Sequence, residues 1–234
     1  MSSSPARLFV IAAPSGAGKT TLVKMLLERN SGLEFSVSYT TREKRNTEVE
    51  GRDYFFVDEK RFLQLQEQGE LLESAKVFGN YYGTGRSQVQ RHLDKGNHVI
   101  LEIDWQGARQ VRESMPKAIS IFILPPARSE LERRLRDRRT DSGEVIARRL
   151  EEARGDMTHW DEFDFVIVND DLDTAVGELE AILQGKGDSN SSANPELREN
   201  LKRLWERIYP RTGIESFATA CSRTSMDKKP LLRS

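Results

Sequence analysis

The stretch Arg7 to Thr21 reads RLFVIAAPSGAGKTT and joins three local signals end to end. Leu8 to Ala12 is short and wholly apolar, as expected of a strand buried on both faces of a parallel sheet. Ala13, Pro14, Ser15, Gly16, Ala17 and Gly18 form a turn of small residues. From Lys19 to about Arg29, Leu22, Val23, Leu26 and Leu27 recur at helical spacing. Strand, glycine-bearing loop ending in Gly-Lys-Thr, then helix is the P-loop arrangement. Gly16 and Gly18 allow backbone N–H groups to turn around a phosphate, and the helix N-terminus adds partial positive charge. Lys19 can reach the outer phosphates and the Thr20 hydroxyl can ligate an accompanying Mg2+. Residues Ala13 to Thr21 are therefore candidate ligands of a nucleoside triphosphate. The pattern usually opens with glycine; Ala13 stands there, and an ordinary backbone conformation is expected at that position.

Working outward, three further runs look like buried strands: His98 to Asp104, Ala118 to Leu124 and Phe163 to Val168, with a shorter one at Phe35 to Ser38. Helical patterns fall at Lys60–Gln68, Ser87–Lys95, Gln106–Ser114, Arg128–Arg138, Gly143–Thr158 and Asp173–Leu183. The alternation predicts an α/β fold, a parallel sheet with helices on both faces and ligands at the carboxyl ends of its strands. Residues 34–97 break the rhythm. Short strands at Asp53–Val57, Leu71–Phe78 and Tyr81–Thr84 surround one helix there, which predicts a small β-rich subdomain inserted into a core formed by 1–33 and 98–184. The segment 128–149 holds eight arginines. Pairs such as Glu130–Arg134 and Glu132–Arg136 fit a solvated helix; an arginine-rich lid over phosphates is the sharper reading for a few of them. Gly185 to Asn194 reads as a flexible linker. Beyond it lies an amphipathic helix, Pro195 to Tyr209, with Leu197, Leu201, Leu204, Trp205 and Ile208 on one face, and then a tail of unknown role to residue 234.

Composition narrows the class. The 234 residues carry a formal net charge of -1, so no global field draws the chain to nucleic acid or membrane. A lone cysteine, Cys221, excludes an internal disulfide and fits a reducing compartment. The apolar run Leu8 to Ala13 is too short for a signal-peptide core and no stretch approaches a membrane span. The expectation is a soluble cytoplasmic protein; a homo-oligomer is left open.

Six strings taken in order, APSGAGKT, SVSYTTREKR at 36–45, GRDYFFV at 51–57, GNYYGT at 79–84, LEIDWQG at 101–107 and VIVNDD at 166–171, resemble guanylate kinase. The likeness covers about three-quarters of the chain, Arg7 to Leu183. It implies a P-loop NTPase fold whose insertion binds GMP, with ATP as phosphoryl donor, Mg2+ as its metal and purine nucleotide metabolism as the setting. It further implies that Arg42, Arg45, Tyr54 and Tyr82 hold the GMP phosphate, and that Ser38, Glu73, Thr84 and Asp104 read guanine. Glu102 falls near Lys19 and the water shell of the metal, and Asn169 near adenine. The lid arginines correspond to Arg134, Arg138 and Arg149, with Arg133, Arg139 and Arg148 one position away. Taken singly, each residue has an ordinary reading, a half-buried strand tyrosine or a solvated loop arginine; as an ordered set they point to one site.

The chemistry agrees with that set. Two guanidinium forks suit a phosphate dianion, and tyrosine hydroxyls add donors without charge. An ionised Glu73 can accept from both N1–H and the 2-amino group of guanine, whereas adenine would turn a lone pair toward it. Such a site discriminates by about 10^4 or more. The acceptor oxygen is already ionised at pH 7, so no general base is needed, and His92, His98 and His159 read as surface or helix-end residues. Lys19, Mg2+ and the arginines would align the reactants and neutralise charge. Three alternatives are weaker. A phosphopeptide-binding scaffold of the same fold can lose the donor site, which here is intact at Gly18-Lys19-Thr20. A GTPase switch needs an Asn-Lys-x-Asp string, which is absent. A kinase for another nucleoside monophosphate is the nearest enzymatic rival.

Overall fold

The computed structural model of the chain describes residues 5–77, 79–137 and 143–209. In order, its elements are β1 (Leu8–Ala12), α1 (Lys19–Arg29), β2 (Leu33–Phe35), β3 (Ser38–Thr40), β4 (Phe55–Phe56), α2 (Glu59–Glu67), β5 (Leu71–Val77), β6 (Asn80–Gly85) and α3 (Arg86–Asp94). There follow β7 (His98–Glu102), α4 (Trp105–Ser114), β8 (Ile119–Leu124), α5 (Arg128–Arg136), α6 (Gly143–Met157), β9 (Phe165–Val168), α7 (Leu172–Leu183) and α8 (Pro195–Ile208). This is an α/β fold with parallel strands flanked by helices. It divides into two compact units, Met1–Ala12 with Val23–Ser120 and Ala13–Leu22 with Ile121–Ser234. The inserted segment thus shares a unit with β1 and β7 and is not a separate body.

In the first unit β7 lies between β2 and β1, all parallel, with Leu8 opposite Val99 and Leu33 opposite His98. Every residue of β1 is buried, which accounts for its unbroken apolar run. The second sheet of this unit has the order β4-β3-β6-β5, antiparallel except for β3 with β4. The expected strand Phe35 to Ser38 is in fact a crossing between the two sheets. Phe35 pairs with Ile100, while Ser38 pairs with Thr84. At the crossing the Ser36 N–H still donates to the Ile100 carbonyl. Asp104 opens α4 as its N-cap, its carboxylate accepting from the Gly107 N–H at 2.7 Å.

In the second unit β8 and β9 pair in parallel, Ile121 opposite Phe165. Helices α5 and α6 share a core of Leu131, Leu135, Ile146, Leu150 and Ala153. The segment expected to be a flexible linker is instead bound along β9. Ser191 bridges Phe165 in antiparallel fashion, the Ser192 N–H donates to the Asp164 carbonyl, and the buried Asn190 amide donates to the Val166 carbonyl. Its polar residues serve backbone groups of the strand, a use that composition does not distinguish from solvation. The predicted C-terminal helix is present: Asn194 caps it, Pro195 occupies its first turn, and Leu201, Leu204, Trp205 and Ile208 are buried. No helix among the described residues is long and apolar enough to cross a membrane.

Candidate active site

The loop between β1 and α1 is shaped by two glycines in the left-handed region, Gly16 (φ 88°) and Gly18 (φ 91°). A methyl group on Gly18 would collide with the Asn169 amide, and one on Gly16 would press on Leu131 and Leu135 of α5. The loop closes with a turn from the Ala17 N–H to the Pro14 carbonyl at 3.2 Å. Two side chains then converge on the Ala17 carbonyl: Asn169 Nδ2 donates to it at 2.7 Å and Arg134 Nη1 at 3.0 Å. Asn169 is fully buried, and its Oδ1 has no hydrogen-bond partner among the described residues. Glu130 Oε1 holds Arg134 Nε at 2.6 Å. Arg133 and Arg134 together draw the Glu130 carboxyl down to about 2, so it stays ionised throughout the physiological range. The Glu130–Arg134 pair expected of a solvated helix therefore exists, yet the same arginine also reaches the loop.

The other arginines weighed for a lid differ in their surroundings. Arg133 pairs with Glu130 and Asp137, Arg136 with Glu132 and Arg148 with Glu152, all on exposed faces. Arg149 is half-buried on α6 beside Leu150. Arg138 and Arg139 lie outside the described residues. Lys19, Thr20 and Thr21 form the first turn of α1, with Thr20 and Thr21 exposed.

In the first unit, Ser38, Thr84 and Glu73 stand opposite one another across β3, β6 and β5, on one face of the sheet. Glu73 is 5% exposed, and Thr84, fully buried, donates its hydroxyl to Glu73 Oε1 at 2.7 Å. A register shift between Leu71 and Glu73 turns this carboxylate inward. A Cβ placed on Gly107 would lie 3.0 Å from Glu73 Oε2 and 3.4 Å from Asp104 Oδ1, so both acids approach the start of α4 where it lacks a side chain. Burial first, and the Asp104 charge second among the raising influences, push the Glu73 carboxyl up to about 7, against the opposing Thr84 hydrogen bond. Asp104 itself is exposed and caps its helix.

Tyr82, two residues before Thr84 on β6, belongs to a cationic and phenolic cluster with Arg42, just after β3, and Tyr54, just before β4. Arg42 Cζ sits 5.4 Å from the Tyr54 ring centroid, and Tyr54 meets Tyr82 edge-on at 6.0 Å. Burial raises the Tyr54 hydroxyl above its ordinary range, which keeps it a neutral donor. The Arg42 fork is engaged by Glu48, with Nη2–Oε1 at 2.7 Å and Nη1–Oε2 at 3.1 Å, and Glu48 also accepts from the Arg45 N–H at 2.8 Å. The Arg45 side chain is exposed and Glu102 half-buried at the end of β7. Glu48 and Gly107 were not singled out in the sequence, although both lie within or next to the strings quoted there.

Comparison with known proteins bears on the same segments. Residues 5–186 match the sequence family described as guanylate kinase. The chain belongs to the guanylate kinase family. The chain is 52% identical over 200 residues to the guanylate kinase of Alkalilimnicola ehrlichii, covering 86% of this chain and 98% of that protein. It is 54% identical over 181 residues to the guanylate kinase of Vibrio parahaemolyticus, covering 76% and 87%. Among solved structures, guanylate kinase from Anaplasma phagocytophilum superposes with a TM-score of 0.64 at 35% identity, over 90% of this chain and 98% of that one. The family-level match ends at residue 186, while the matches to the Alkalilimnicola ehrlichii and Anaplasma phagocytophilum proteins cover 86% and 90% of the chain and so run on into α8.

Proposed function

We propose that the protein transfers the γ-phosphoryl group of ATP to GMP, giving ADP and GDP. The observation that carries this reading is the buried carboxylate of Glu73, bonded by Thr84 and set beside Asp104 over Gly107. A buried acid that lacks a cation partner is costly unless a ligand brings donors to it. Guanine offers two adjacent ones, N1–H and the 2-amino group. Ser38 and Thr84 on the same face would complete that reading. The GMP phosphate would be taken by Arg42, Arg45, Tyr54 and Tyr82, in place of the carboxylate that Glu48 now presents to Arg42 and to the Arg45 N–H.

On the donor side, the amides of residues 13–20 would cradle the ATP phosphates and Lys19 would neutralise the outer ones. The first turn of α1 presents a hard oxygen, the exposed Thr20 hydroxyl, which suits a Mg2+ arriving with ATP. The metal would supply charge neutralisation on the phosphates, with Thr20 as the residue to hold it; by resemblance Glu102 would serve its water shell. In the reaction the bond from the γ-phosphorus to the β-bridging oxygen breaks. A bond from an oxygen of the GMP phosphate to that phosphorus forms. The attacking oxygen is ionised, so the side chains align and stabilise charge and remove no proton. Arg134 and Arg149, with Arg138 by sequence, would stabilise the group in flight. Two of the three histidines are otherwise engaged: His98 accepts from the Arg7 N–H and His159 bonds Glu162, while His92 Nδ1 lies 3.9 Å from Glu34 without a hydrogen-bond partner among the described residues.

The test is ADP release coupled to each of GMP, AMP, UMP and dTMP as acceptor. GMP is expected to lead by several orders of magnitude. A faster rate with AMP or a pyrimidine monophosphate overturns the guanine assignment.

A further inference from the structure

The second unit holds a recess of about 510 Å³ lined by Pro126, Ala127, Glu130, Asp170 and Arg207. Four of those residues follow the carboxyl ends of β8 and β9, the usual position for ligands in parallel sheets. The fifth comes from α8. The recess adjoins the phosphate loop through two short connections. Asp170 follows Asn169, whose amide donates to the Ala17 carbonyl, and Glu130 grips Arg134, which donates to the same oxygen. Asn169 Oδ1, buried and unpartnered among the described residues, lies at this junction, as expected of a group that a bound molecule or water satisfies. The volume lies within the usual range for small-molecule pockets, about 300–1,000 Å³.

Resting on the reading of the loop as the ATP site, we infer that Arg207 of the C-terminal helix forms a wall of the donor-base recess and holds the adenine of ATP. Arg207 Nη2 donates to the Pro126 carbonyl at 2.9 Å, which fixes the guanidinium at the rim. The end of α8 is itself anchored. Trp205 and Ile208 are buried, Trp205 stacks near Tyr209 at 5.0 Å, and the Tyr209 ring receives Arg154 at 5.2 Å and Arg128 at 5.9 Å. A guanidinium held by one edge keeps its planar face for a purine ring. Asp170 can accept from the 6-amino group of adenine, whereas guanine would present its O6 oxygen to that carboxylate. Helix α8 thereby takes part in donor binding and in the choice of ATP over GTP.

The experiment uses the full chain and three proteins: wild type, Arg207→Ala and Arg207→Lys. KM for ATP at saturating GMP, KM for GMP at saturating ATP, and the ATP-to-GTP preference are measured with the melting temperature. Arg207→Ala is expected to raise KM for ATP about three- to thirtyfold, the span of a cation–π contact, and to narrow the donor preference. KM for GMP should stay within about twofold. Arg207→Lys keeps the charge and loses the planar fork, so it should recover only part of the loss. If Arg207→Ala melts early, direct ADP titration of Arg207→Lys decides, and wild-type affinity there overturns the inference. A folded Arg207→Ala with unchanged KM for ATP also overturns it while leaving the proposed reaction standing. A wild type that makes no GDP from GMP overturns the reaction, and this inference with it.

Discussion

Glu73 is buried with no cation bonded to it among the described residues, and the consequence can be read from its titration. Its carboxyl is raised from the ordinary value to about 7, so the folded apo-protein binds a proton there more tightly than the unfolded chain does. That contribution to stability is complete below the unfolded value and is lost as the pH rises through about 7, on the order of 3 kcal/mol. GMP binding has the opposite demand, because only the ionised form accepts two hydrogen bonds from guanine. KM for GMP should therefore climb as the pH falls from 8 to 6. The phosphate of GMP titrates near pH 6 as well. Glu73→Gln separates the two: it should melt higher than wild type at pH 8 without ligand, bind GMP more weakly, discriminate less against AMP, and lose the part of the pH slope that Glu73 supplies. An unchanged preference over AMP would remove Glu73 from the base site.

At the scale of elements, the loop before α1 is held by its own glycines and by two donors on one carbonyl. Gly18→Ala would place an L residue at φ 91° and drive a methyl into the Asn169 amide. The expected outcome is a KM for ATP raised by more than about tenfold with GMP binding, followed by calorimetry, nearly unchanged. Loss of both affinities together would mean that the substitution had unfolded more than the loop. This element was legible because its signals are local: an apolar strand, small turn residues and Lys-Thr in register. The face that carries Ser38, Glu73 and Thr84 was legible only through likeness to relatives. Glu73 and Thr84 are paired across strands through a register shift, and no periodicity in one strand reveals its neighbour. Glu48 passed unremarked because a loop glutamate among charged residues looks solvated, whereas its carboxylate holds Arg42 and the Arg45 amide in place. The crossing at 36–37 read as one strand because Phe35 to Ser38 is continuous in β-forming residues, although its two ends belong to different sheets.

Taken as a whole, the chain carries the family's strings from Arg7 to Leu183 and adds a helix that those strings do not foretell. The segment before that helix shows how polar composition misleads. Residues 185–194 are rich in glycine, serine and asparagine, yet Asn190, Ser191 and Ser192 occupy backbone partners of β9 and of the residue before it. This segment also shields β9, which stands outermost in its sheet. A strand with one flank unpaired is a template for another copy of itself. A chain cut after Lys186 should therefore self-associate as concentration rises, seen by light scattering at temperatures where the full chain stays monodisperse. Equal dispersity of the two would show that the short bridge at Ser191 is dispensable. The ten residues that look like slack between two structured parts would then, by the first outcome, be the protein's guard against fibrillar stacking.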